Sequence, residues 1–100
     1  MKKILIELDR ERELRLDLNA MSEFEDLTGN SLFTIGEKLA EARNVRALLF
    51  VTLKAANNEM DINEIGKYVT IKNFTYVNDV IAKLLSASYG NSNEEEISKK

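Results

Sequence analysis

What most constrains the fold of this chain is a change of period near its start. Ile4, Ile6 and Leu8 alternate with Lys3, Leu5 and Glu7, and Leu14, Leu16 and Leu18 alternate with Glu13, Arg15 and Asp17. Apolar residues two apart share one face of a strand, so both runs predict half-buried strands. At Asn19 the spacing turns helical, with Met21, Phe24, Leu27 and Thr28 three and four apart. Strand therefore passes straight into helix. Residues 9–12 are polar and short enough for a hairpin connection, although the favoured Asn-Gly or Asp-Gly signal is missing. An isolated hairpin is marginal in water, so the apolar face of this one must lie on helices.

Those helices follow from spacing and end signals. Asn19 can cap the first, because its side-chain oxygen can accept from an unpaired amide of the first turn, and Gly29 can take the positive φ just past its end. Ser31 can cap a second, whose stripe is Leu32, Ile35, Gly36 and Leu39. Residues 42–56 carry Val45, Leu48, Leu49 and Leu53 on one face and Phe50 and Val51 on others. Apolar surface over most of a helix belongs at the centre, so this is the expected core helix, with continuity into the preceding one at 41–44 left open. Asp61-Ile62-Asn63-Glu64 resembles a capping box for a short helix carrying Ile62, Ile65, Gly66 and Val69. Phe74, Val77, Ile81, Leu84, Leu85 and Ser88 form the stripe of a last long helix, capped by Asn73 and stopped at Gly90. The prediction is an α+β fold, an N-terminal antiparallel β-hairpin packed on a bundle of about five mostly short α-helices.

Neither a proline nor a Gly/Ser linker divides the chain, so residues 1–90 are read as one domain. Residues 91–100 hold one apolar residue, Ile97, amid Glu94, Glu95, Glu96, Lys99 and Lys100. That is too little to offset the entropy of ordering them, so a disordered tail is expected, or one that takes its order from a partner. The acidic run reads as a solubilising tail, or as a steering element for a basic client.

Composition narrows function mainly by what it removes. Cysteine and histidine are both absent, which closes off disulfides, thiol catalysis, thiolate metal sites and the commonest general base near neutral pH. Glu23, Glu25 and Asp26 crowd one short helix but lack the asymmetric surroundings that would push two carboxyl pKa values apart, so they read as a solvated face. Asp61 and Glu64 have no third donor nearby and are better explained by capping than by a cation. No catalytic residue, cofactor or metal is expected. With a net charge of -3 and both signs mixed along the chain, no basic footprint for nucleic acid stands out. No apolar run approaches the ~18 residues of a membrane span, and Glu7 and Asp9 interrupt the start before a signal-peptide core can form.

What remains is a protein that presents surfaces. Leu5, Phe33, Phe50 and Tyr76 lie outside the main stripes and are the candidate partner-binding residues, joined by Glu94, Glu95 and Glu96. A contiguous patch of such residues would mark a partner site or a self-association surface. Helix-in-groove capture of an amphipathic client helix is the expected mechanism. Gly36 and Gly66 sit inside apolar stripes, where glycine costs about 1 kcal/mol against alanine. Close helix approach is one explanation, and a hinge that opens the bundle for a client is another.

The order of a charged hairpin, Leu16-Asp17-Leu18-Asn19-Ala20-Met21, Phe24-Glu25-Asp26-Leu27-Thr28-Gly29, Leu32, then Arg46-Ala47-Leu48-Leu49-Phe50, then Asp61 and Glu64-Ile65-Gly66 resembles the tail assembly chaperones of long-tailed bacteriophages and prophages. The resemblance runs over residues 3–88. It implies a non-enzymatic protein of the bacterial host cytoplasm that binds the tape measure protein, keeps its hydrophobic helices soluble and helps recruit tail tube protein, without entering the finished virion. Many such proteins are also made in a longer, frameshifted form. Lys99-Lys100 would suit an A-rich slippery site, and two lysines close a chain equally well without one. The alternative class is a small helix-turn-helix-like DNA-binding regulator using residues 61–90, against which the last helix carries only Lys83 as a base, with Asp79 beside it.

Overall fold

The structure, a computed structural model, describes residues 3–90. Its first element is an antiparallel hairpin of β1 (Ile4–Glu7) and β2 (Glu11–Leu14), with Ile4 opposite Leu14 and Glu7 opposite Glu11. Arg12 closes the turn, donating from Nε and Nη2 to the two carboxylate oxygens of Asp9 at 2.7 and 2.8 Å. This two-pronged, charge-assisted pairing stitches a connection that has no Asn-Gly turn and no residue of positive φ. The Arg12 guanidinium holds the Asp9 carboxyl down at about 2, well under its ordinary value. Alternation along β1 is as the sequence predicts: Ile6 is buried, Ile4 and Leu8 are half-buried, and Leu5 faces out at 43% exposure.

Among the described residues four α-helices follow: α1 (Leu18–Thr28), α2 (Ala42–Ala55), α3 (Ile62–Tyr68) and α4 (Phe74–Leu85). The α+β class stands, with four α-helices where about five were expected. Eight of the fourteen residues of α2 are buried, as its apolar circumference requires. It packs against α1, β2 and α3, while α4 covers β1. The core centres on Ile6, Phe24, Leu48, Leu49, Leu53 and Ile65.

Several local expectations are corrected. The second strand stops at Leu14 instead of running to Leu18, because the Arg15 amide donates to the Thr52 carbonyl of α2 at 3.0 Å and draws the chain off β1. Leu18 is 74% exposed. The cap of α1 is Asp17, not Asn19: Asp17 Oδ1 accepts from the Ala20 amide at 2.9 Å. Leu18 and Asn19 are already helical but exposed, so the helix begins before its apolar stripe does. Gly29, at φ 75°, ends α1 as predicted.

The helix expected behind Ser31 is a turn over 32–34 followed by a 3-10 turn, Gly36–Ala40. Ser31 Oγ accepts from the Phe33 amide at 3.1 Å, closing a tight turn. Gly36 then takes a φ of 57°, which interrupts a right-handed helix through that stripe. Glu41 is extended, so α2 starts afresh. Asp61 Oδ2 accepts from the Asn63 amide at 3.0 Å, which caps α3, but Glu64 turns to Lys67 at 3.7 Å and does not complete a capping box. Asn73 opens α4 without capping it; its side chain brackets the connection from α3, accepting from the Thr70 amide at 2.7 Å and donating to the Tyr68 carbonyl at 2.8 Å. After Leu85 the chain continues as a π-helical turn, Ser86–Gly90, so helical structure reaches the expected stop at Gly90. Residues 91–100, with the tail expected there, lie outside the described residues.

Candidate functional site

α3 has seven residues and packs against α2, while the bracketed connection 69–73 carries the chain on into α4. A short helix that turns away leaves the start of α2 uncovered. The result is a groove of ≈ 880 Å³ between α2, α3 and the first turn of α4, within the range of ordinary binding sites. Its floor is apolar, made by the buried Val45 and Ile65 and the half-buried Val69 and Phe74. Ile71 stands at its mouth, 96% exposed.

Two cations flank this floor. Arg43 and Arg46 line the groove from the exposed face of α2. Among the described residues the ion pairs are Arg12 with Asp9, Lys54 with Glu23 and Lys67 with Glu64, so both groove arginines stand unpaired. Gly66 lies under Arg46: a β-carbon there would sit 3.5 Å from Arg46 Cδ. That is ordinary contact distance, so Gly66 is not forced by close helix approach. Gly36 would meet nothing within 4 Å, and its reason is the left-handed backbone. Neither glycine supports the helix-approach explanation offered from sequence.

The residues singled out from sequence fall elsewhere, and none of Leu5, Phe33, Phe50 and Tyr76 lines the groove. Leu5 faces out from β1, and Phe33 lies in the turn after α1, 67% exposed. Phe50 is half-buried against the core, with Lys54 Nζ 5.9 Å from its ring centroid. Tyr76 is exposed along its ring but uses its hydroxyl structurally, accepting from the Glu7 amide at 2.8 Å to tie α4 to β1. Glu94, Glu95 and Glu96 lie outside the described residues. Sequence reasoning missed Arg43, Arg46 and Ile71. The usable signals were two arginines three apart on a predicted helix and an isoleucine standing off every stripe, in a loop between Thr70 and Lys72.

A second hollow of ≈ 670 Å³ lies between the hairpin and the end of α4. Its charged lining is mixed, with Lys3 and Arg15 set against Glu13 and Asp17. Glu23 is tied to Lys54 at 3.2 Å, and Glu25 and Asp26 are exposed. Among the described residues no group of three or more acidic side chains is placed to hold a metal ion, and no helix is long and apolar enough to cross a membrane. Chemically, the principal groove offers an apolar surface and two fixed positive charges. Compared with protein-family models, curated proteins and solved structures, the chain matches nothing.

Proposed function

We propose that this protein is a tail assembly chaperone of a long-tailed phage or prophage. It binds the tape measure protein in the host cytoplasm, shields that protein's hydrophobic helices, helps recruit tail tube subunits, and stays out of the mature virion. It is not an enzyme. The observation that carries this reading is the order of segments from the charged hairpin through Phe24-Glu25-Asp26-Leu27-Thr28-Gly29 to Glu64-Ile65-Gly66, which resembles that family. An open apolar groove between helices is compatible with it, because capture of an amphipathic helix needs an apolar trough lined by side chains. The DNA-binding alternative has less support, since α4 carries Lys83 as its base, with Asp79 four residues before it.

Affinity capture with the tagged full-length chain, from nuclease-treated lysate of prophage-induced source cells, tests the proposal. Recovery of a very long helical tape measure protein or a tail tube subunit is the expected result. Recovery of neither, with partners that depend on nucleic acid in an untreated lysate, would replace it with the regulator reading.

A further inference from the structure

We propose that the groove between α2, α3 and the start of α4 takes an amphipathic helix whose apolar face is flanked by carboxylates. The inference names the chemistry of the client segment and rests on the chaperone reading for where that segment comes from. Three observations define the occupant. The floor, Val45, Ile65, Val69 and Phe74, is apolar, and Ile71 extends it into solvent at 96% exposure. Arg43 and Arg46 flank it, and neither joins any ion pair of the described residues. The walls come from α2, α3, the 69–71 connection and the first turn of α4, and neither strand of the hairpin lines them, so an extended peptide would find no sheet edge there to join.

Charge selects the rest. Residues three apart on a helix stand about 5–6 Å from one another. Arg43 and Arg46 thus match two carboxylates one turn apart on a partner helix, each free to form a charge-assisted hydrogen bond. Two guanidinium groups beside an apolar floor are a poor fit for a phosphate backbone, which is met by a longer run of cations.

The test uses the full chain and two labelled helical peptides of about five turns, identical in their leucine face but flanked in one by glutamates and in the other by lysines. Fluorescence anisotropy should show the glutamate peptide binding at least about tenfold tighter, with the preference shrinking as salt shortens the range of charge interactions. The double variant Arg43→Glu, Arg46→Glu should invert the order. Ile71→Asp should weaken both peptides without altering the circular dichroism spectrum, because this side chain is exposed. Equal affinities, an order unchanged by the arginine variant, or indifference to Ile71→Asp would each overturn the inference. So would a concentration-dependent dimer that Ile71→Asp dissolves, which would assign the groove to a second copy. Selective binding of the glutamate peptide alongside a capture without tape measure protein sinks the chaperone reading and leaves the groove assignment standing. Capture of tape measure protein that survives both sets of groove variants does the reverse.

Discussion

Asn44 is a fully buried polar residue, and its two ends find different partners. Nδ2 donates to the Lys38 carbonyl at 2.8 Å, and Oδ1 meets Asn30 Nδ2 at 3.5 Å, so one side chain fastens the 29–41 connection to α2. Asn44→Ala should cost about 1–3 kcal/mol in urea unfolding, because it removes both hydrogen bonds of a fully buried side chain. Asp9 makes a prediction about pH. Its pKa falls from 3.8 to about 2 on folding, the Arg12 hydrogen bond being the main cause. A carboxyl with a lowered folded pKa adds stability that is present above its unfolded value and lost as pH falls through its folded one. Urea midpoints should therefore drop between pH 3.8 and about 2, and Asp9→Asn should flatten that part of the profile. A midpoint equally steep in the variant would remove Asp9 from the acid response. Neither role was legible in sequence: Asn44 lies within an ordinary helical stretch, and Asp9 is one of several charges in a loop.

At the scale of elements, two glycines that look alike in sequence part company. Both follow an isoleucine in an apolar stripe, yet Gly36 has a φ of 57° and Gly66 is helical. Gly36→Ala should destabilise by about 1–2 kcal/mol, the penalty of a β-carbon in the left-handed region. Gly66→Ala should stabilise by about 0.5–1 kcal/mol, because alanine is the better helix former and its methyl group would find ordinary contact with Arg46. Thermal unfolding of the two variants should move in opposite directions, and a shared direction would contradict these backbone assignments. The same limit explains the caps. Asn19 and Asp17 are both good capping residues, and the choice fell to Asp17 because the bond from Arg15 to Thr52 bends the chain there. A side chain's capacity to cap is written in its chemistry; the place where the chain leaves a strand is not.

For the molecule as a whole, the hairpin and the helices hold one another. Arg15 bonds to Thr52, Glu7 to Tyr76, and Arg12 to the Asn58 carbonyl at 3.4 Å. Ile6 lies beneath these ties, fully buried, next to the outward-facing Leu5. Ile6→Ala should cost about 2–5 kcal/mol and Leu5→Ala less than about 1, read from denaturant midpoints. Similar costs for the two would mean that the register is wrong. Alternation by itself determined which of these neighbours is core, just as helical spacing determined α2 as the central helix and Gly29 as the end of α1. These are consequences of period, and period is local. Tertiary structure alone decided where β2 ends, that the stripe behind Ser31 breaks at Gly36, that Tyr76 serves the sheet, and that Arg43, Arg46 and Ile71 share one groove. Each depends on segments far apart in sequence meeting in space, and no spacing within a single segment encodes that meeting.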